Sequence, residues 1–399
     1  MADNFTLSLA IGPVVPMPAP QSVIDALTGV QVTTASGQKS GFQLTFTVSK
    51  TSPIMRALLP AGYFDPPSRV IITTTIRGTP TPIMDGVITR QEVSVSNDPG
   101  QSTLSVTGED LSVLMDLIDF TGIIRYPAMA REVRVLLMLA KYAAFGIIPK
   151  IIPSVLMDVP LPTDTIPGHE GTDYSYLNQL ADTVGYVFYV EPTPVPGVNT
   201  AYWGPEIKFG LPQPALTVNS DAHSNIESLS LSFDGMSSTL FIFYVQNNLA
   251  VPKIAYPIPL PPITPLNPPL GPKIPPPLKV VKLNRPDEQL EENTGPGGGR
   301  DRVRERATAR LSPTQAILSA LGRVSKSADL ITGSGQLDVL RYGRVLQPRQ
   351  LVGVRGAGIT YDGLYYVKSV THNIKRGEYK QSFQLTRNAQ LPFSQRVAV

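Results

Sequence analysis

Cysteine is absent from the 399 residues. That excludes a disulfide scaffold, a thiolate nucleophile and any cysteine-built metal site, and it fits synthesis in a reducing cytoplasm. Histidine is scarce, with three residues, His169, His223 and His372. No two of them stand at metal-ligand spacing, and neither an HExxH helix nor a Gly-x-Ser-x-Gly elbow occurs. Charged residues are 16% of the chain and the net charge is +3, too weak a field to draw in nucleic acid. Trp203 is the only tryptophan, which argues against the clustered aromatics of a carbohydrate-binding adhesin. No stretch reaches the roughly 18 uninterrupted apolar residues of a membrane span. The most apolar one, Val135 to Ile148, is broken by Lys141. The first residues carry Asp3 and then Pro13, Pro16, Pro18 and Pro20, so no secretory leader is expected.

The acidic residues give no firm chemistry. Glu109 with Asp110, or Asp116 with Asp119, could pair as glycosidase carboxylates, but a chain with 31 acidic residues offers many such pairs. His169 with Glu170 lies in a Gly/Pro loop and reads as structural, and His372 reads as a histidine of a β-barrel. The glycines from Gly295 to Gly299 lack the Gly-Lys-Ser/Thr ending and the leading strand of a phosphate loop. The arginines between Arg300 and Arg310 alternate with Asp301 and Glu305, as on a solvated helix face. No catalytic, cofactor-binding or metal-binding residue is expected, and no cofactor.

What the chain has is strand signal. A hydrophobic share of 42% supports true cores, and the length allows two to four domains. Phe5, Leu7, Leu9 and Ile11 alternate, as do Phe42, Leu44, Phe46 and Val48. Val70 to Ile76, Ile83 to Thr89, Gln91 to Ser96 and Ser102 to Thr107 follow as short strands, a pattern of small barrels or sandwiches. The period then changes. Arg131 to Phe145 predicts a helix with Val135, Leu136, Leu139 and Tyr142 inward, stopped by Gly146. Thr172 or Asp173 predicts the cap of a second helix, with Tyr176, Leu177, Leu180, Ala181 and Val184 as its stripe. Strands are predicted at Val187 to Val190 and Ala201 to Phe209. A hairpin is predicted from Ile226 to Phe233 and Thr239 to Gln246 around Asp234 and Gly235.

Forty prolines are unevenly placed, with thirteen between Pro252 and Pro286. That density predicts an extended polyproline arm. Its apolar residues, Ile254 to Leu278, predict that it lies on a surface, its own or a neighbour's. Ser312 and Pro313 predict a helix beyond it. Near the C-terminus, Leu351 to Arg355, Leu364 to Ile374 and Glu378 to Arg387 form a β-meander. The last alternates cleanly, and the middle one is irregular at Tyr365, Val367 and Val370, as at a bulge.

The order of these elements resembles a family. The Asp85 to Thr89 step, the Gly108 to Leu111 step, the helix-glycine-aromatic string from Gly171 to Tyr189 and the closing meander to Asn388 resemble the baseplate hub proteins of contractile phage tails. That family includes the late control protein D group and the hub halves of VgrG-type spikes. The resemblance implies a mainly β chain with an α+β middle domain. Its parts would be a first tube-like barrel over 1–110, an α/β domain over 111–215, and a second barrel from 216–250 with 330–392. A Pro/Gly-rich arm over 251–299 and a helical connector over 300–329 would complete it. It also implies a homotrimer that joins a hexameric tail tube, or a tube initiator, to a trimeric central spike, in a virion baseplate assembled in the host cytoplasm. Tape-measure and baseplate wedge proteins would be further partners; nucleic acid and membrane would not. Two features depart from the family pattern: the arm itself, and Pro348-Arg349-Gln350 where a Pro-Gly turn is expected. No spike repeat follows Asn388, so the spike is expected on a separate polypeptide. A tail-associated cell-wall hydrolase is the rival reading.

Overall fold

Alternating apolar residues set β-strands through the first 110 residues. The computed structural model describes residues 5–13, 15–98, 101–154, 159, 166–219, 224–235, 238–246, 255–260, 267–283, 321–322, 324 and 329–393. In it β1 (Phe5–Gly12), β2 (Met17–Pro18), α1 (Gln21–Ala26), β3 (Leu27–Ala35), β4 (Gly41–Thr47), β5 (Arg69–Ile76), β6 (Thr79–Ser94) and β7 (Thr103–Asp110) build an antiparallel module. Phe42, Leu44, Phe46, Leu104 and Val106 are buried in its core, as their period of two requires. Residues 83–96, read from sequence as two strands, are largely one long strand, β6. It bends at a bulge at Thr89, where the register against β7 shifts. The glycines of the sequence markers have a steric reason here. A Cβ on Gly86 would lie 2.2 Å from the Glu109 carbonyl, and one on Gly108 would lie 2.4 Å from the Phe42 ring.

The middle unit contains α2 (Arg131–Ala140), β8 (Ile147–Ile151), α3 (Asp173–Asp182), β9 (Val187–Pro192) and β10 (Asn199–Gly204), with sheet order β8-β10-β9. Thr172 caps α3 by accepting the Ser175 N–H. Tyr176, Leu177, Leu180, Ala181 and Val184 are buried as their spacing predicts. The first helix is shorter than predicted. It ends at Ala140, and a separate 3₁₀ turn covers Ala143–Phe145 before Gly146 at φ 79°. Its inner face also differs, because Leu136 is exposed while Arg131, Glu132 and Arg134 are buried. Polar partners explain this: Arg134 donates to the Tyr176 hydroxyl at 2.8 Å, and Glu132 accepts from Ser154. The strand predicted to reach Phe209 stops at Gly204.

The remaining strands are β11 (Gln213–Thr217), β12 (Ile226–Phe233), β13 (Thr239–Gln246), β14 (Ala255–Leu260), β15 (Lys279–Leu283) and β16 (Ile331–Asp338). After α4 (Val339–Tyr342) come β17 (Leu351–Arg355), β18 (Gly363–Lys375) and β19 (Glu378–Arg387). The predicted 226–246 hairpin does not form. β12 pairs with β16, about a hundred residues on, and the Asp234 N–H extends that ladder to the Leu330 carbonyl. β13 instead centres a separate sheet of order β14-β13-β15. Residues 239–246 therefore leave the sheet of the second module. The polyproline prediction also needs correction, since 255–260 and 279–283 are strands. Both are edges, where proline is tolerated. Pro257 and Pro259 alternate opposite Tyr244 and Ile242, so both missing N–H groups fall on one side of the strand.

Part of the arm lies on the chain itself. Leu270 packs on Leu351 and Tyr366, and its N–H donates to Asn388. The Lys273 and Gln390 backbones bond each other. The 300–310 run, the helix expected from Ser312 as far as Ala320, the 295–299 glycines and His223 lie outside the described residues, whereas Leu321, Gly322 and Val324 are helical.

The two modules share their strand order. The first reads β3-β4-β7-β6-β5-β1 and the second β12-β16-β19-β18-β17-β11, and each strand maps to its counterpart in the same chain order. Two irregularities map as well. The bulge at Thr28 against β4 matches that at Glu227 against β16, and the bulge at Thr89 matches that at Lys368. The sixth strand differs: β1 is antiparallel to β5, whereas β11 is parallel to β17. β18 also pairs with β3, from Ser369 opposite Ala35 to Lys375 opposite Gly29, which joins both modules in one thirteen-stranded sheet.

Candidate functional site

The singled-out ionisable residues are dispersed. The His169 ring is buried, with Nδ1 2.9 Å from the Tyr126 hydroxyl and Nε2 3.6 Å from Asp173. Asp173 is fully buried and also receives Lys141 at 2.8 Å and the Tyr142 hydroxyl at 2.7 Å. Burial depresses the His169 pKa despite Asp173, so this network ties α2, α3 and the preceding loop together around a neutral imidazole. Glu170 points elsewhere, towards Gln179. His372 is buried on β18 with Nδ1 2.7 Å from the Tyr379 hydroxyl, and burial lowers its pKa to about 3.

The carboxylate pairs diverge. Asp110 is buried and accepts the Ser40 and Ser112 N–H groups; burial raises its pKa. Glu109 faces the other side of β7, 3.4 Å from Lys39. Asp116 is held below the usual range, first by its hydrogen bond from Lys39 and then by Thr172. Asp119 is exposed and accepts from Thr121. Among the described residues no three His, Asp or Glu side chains gather as a metal site, and no helix is long and apolar enough to cross a membrane. A groove over β12, β16 and β19 is lined by Ser230, Ser232, Thr332, Ser334, Gln384 and Thr386, with no ionisable group.

The polar chemistry concentrates where the three units meet. Arg349 takes φ 63°, a left-handed conformation that favours glycine. Its guanidinium donates to the Ala35 carbonyl at 2.8 Å and to Glu191 at 3.0 Å, and it lies 3.7 Å over the Tyr189 ring. One side chain thus touches the first module, the middle unit and its own module. Beside it, Glu206 accepts from Ser36 at 2.8 Å and from Lys368 at 2.8 Å. Burial opposes the Glu206 charge, but Lys368 and Lys208 outweigh it and hold its pKa down. Lys208 continues to Asp329 at 2.8 Å. A second brace pairs Arg69 with Asp85 through two 2.7 Å bonds, with Asn199 of the middle unit on the same carboxylate. Sequence reasoning missed these braces. Its one available signal was Arg349 in a turn that called for glycine.

The exposed features are strand edges. Among the described residues no strand pairs with the outer side of β12, nor with β6 beyond Val87 on the side of β5. Val93 and Val95 are exposed there, and so is Phe233 on β12.

No protein-family model and no curated protein matches this sequence. Solved structures do match the fold. A tail protein from Neisseria meningitidis MC58 superposes with a TM-score of 0.58 at 15% identity, over 96% of this chain and 97% of that one. The 43 kDa tail protein of prophage MuSo2 from Shewanella oneidensis gives 0.56 at 14% identity, over 97% and 99%. The Francisella PdpA-VgrG complex in its lidded form gives 0.53 at 9% identity, with 99% of this chain spanning 55% of that one. At such identities the shared property is the fold: a mainly β architecture also found in phage tail proteins and a VgrG complex.

Proposed function

We propose that this chain is a structural baseplate hub of a contractile tail or injection machine. In this reading three copies form a ring that joins a hexameric tube to a trimeric spike and continues the central channel. The observation that carries it is the duplicated module. Two units of one strand order, with matching bulges, lie in a single sheet. Three such chains offer six similar modules, so one ring can be three-fold by symmetry and nearly six-fold in shape. The fold shared with tail proteins supports the reading. The braces at Arg349, Glu206 and Asp85 suit a rigid adaptor that works by shape rather than by a reaction.

The test is the mass and shape of the assembled particle. Native mass spectrometry and electron microscopy of the purified chain with its tube protein should give three copies in a ring with six peripheral lobes. A single copy under those conditions refutes the reading. So does muralytic activity lost on changing a carboxylate pair.

A further inference from the structure

The seam between the two modules supplies its own template. β18 offers the edge from Ser369 to Lys375, and β3 fills it. On the inner face the pairs are Val370 with Thr34, His372 with Val32 and Ile374 with Val30, all buried. On the outer face Thr371 meets Thr33 at 3.1 Å between hydroxyls. By the module equivalence β12 takes the place of β3, and β6 takes that of β18. The matched bulges fix the register: Ser369 corresponds to Arg90 and His372 to Val93, while Val32 corresponds to Leu231. Among the described residues both of these edges lack a partner strand.

We infer that β12 of one copy pairs antiparallel with the edge that runs from Arg90 to the end of β6 at Ser94, and on to Val95 just beyond it, in the next copy, with Leu231 opposite Val93 and Ser230 opposite Ser94. This rests on the ring proposed above and names its intermolecular seam. Transferring the register brings Leu229 opposite Val95 and Phe233 opposite Gln91 on the inner face. The exposed Val93 and Val95 then gain cover at positions whose counterparts, His372 and Ile374, are already buried. On the outer face Ser232 meets Glu92, as Thr33 meets Thr371. Asp234 comes opposite the exposed Arg90, a pair of opposite charge. An apolar inner row and a polar outer row both survive the transfer, whereas a one-residue slip would exchange the faces. Open edges of this kind are templates for another strand. The contact runs head to tail, so it propagates around a ring.

The absence of cysteine makes the seam directly testable. Two double variants of the full chain, Leu231→Cys with Val93→Cys and Ser230→Cys with Ser94→Cys, are oxidised and run on a non-reducing gel. Adjacent antiparallel pairs alternate between close and wide spacing, so at least one variant should convert most of the chain to covalent multimers that reductant dissolves. Leu231→Cys with Val95→Cys, a diagonal pair at roughly 7–8 Å, should give only traces. Sizing in solution separates the two ideas. Multimers that resist cross-linking at both in-register pairs overturn this seam and leave the hub standing. A single-copy size with no cross-link overturns both.

Discussion

Replacing Arg349 with glycine sets backbone against side chain. At φ 63° a non-glycine residue costs about 1–2 kcal/mol, and Arg349→Gly relieves that strain. The substitution also removes three contacts. The charge-assisted bond to the buried Ala35 carbonyl contributes about 1.5–3 kcal/mol. The Glu191 pair has a partner 38% exposed, and solvent screening limits it to about 1 kcal/mol or less. Guanidinium over the Tyr189 ring adds about 0.5–2 kcal/mol. Glycine also frees the unfolded chain, by about 0.5–1 kcal/mol. At the middle of these ranges the losses outweigh the relief, for a net destabilisation of about 3 kcal/mol. Because the side chain spans three units, its loss should separate their unfolding as well as weaken it. Urea denaturation followed by Trp203 fluorescence, which reports the middle unit, and by far-ultraviolet circular dichroism, which reports the strands, should give transitions that no longer coincide. Equal or greater stability with coincident transitions would refute the claim that the side chain holds the junction.

Acid sensitivity should have an identifiable source at His372. Its folded pKa of about 3 lies below the free value of 6.5, so as pH falls through 6.5 the unfolded chain takes up a proton that the folded chain refuses. Its contribution is complete above that range and declines by about 1.4 kcal/mol per pH unit towards pH 3. His372→Val should therefore flatten the stability-against-pH curve between pH 6 and 4, measured by urea titrations, even though losing the Tyr379 bond costs about 1 kcal/mol at neutral pH. Gly108→Ala should destabilise by about 1–3 kcal/mol, since the new Cβ would meet the Val87 carbonyl at 2.3 Å and the Phe42 ring at 2.4 Å. Adding Phe42→Leu should recover part of the loss by thermal melting, because it removes the ring that the new Cβ would meet, while the Val87 carbonyl contact remains.

Local pattern made some elements legible and hid others. β4, β7 and β19 could be read because one of their faces is core, and α3 because its cap and stripe agree. The partner of β12 could not be read. Asp234 and Gly235 resemble a turn, yet the pairing residue stands at 331–337, beyond a proline segment with a sheet of its own. β3 was also overlooked, although Val30 and Val32 alternate with Gln31 and Thr33. That strand is the one at the seam. For α2 the buried face was hidden because Arg134 finds the Tyr176 hydroxyl on α3, a partner distant in sequence. The braces were hidden for the same reason, since Arg349 gains its role only when Ala35 and Glu191 arrive from two other units.

The duplicated modules have diverged in a way that suits different neighbours. At the internal seam β18 carries His372 and Ile374, both buried, and the chain itself supplies β3 to cover them. At the equivalent stretch, the end of β6 and the residue after it, the residues are Val93 and Val95, with Arg90 and Glu92 on the other face. A permanently covered edge can hold a neutral histidine bonded to Tyr379. In the proposed ring an edge that is exposed before assembly needs charges to keep monomers from pairing out of register, and Arg90 with Glu92 forms an exposed pair at 2.7 Å there. The proline-rich segment fits this division. It returns to the second module through Leu270 and Lys273, and it leaves the outer side of β12 without a partner strand among the described residues. In the proposed ring the open edges become complementary ends of one repeating contact, which a lone barrel would leave unexplained.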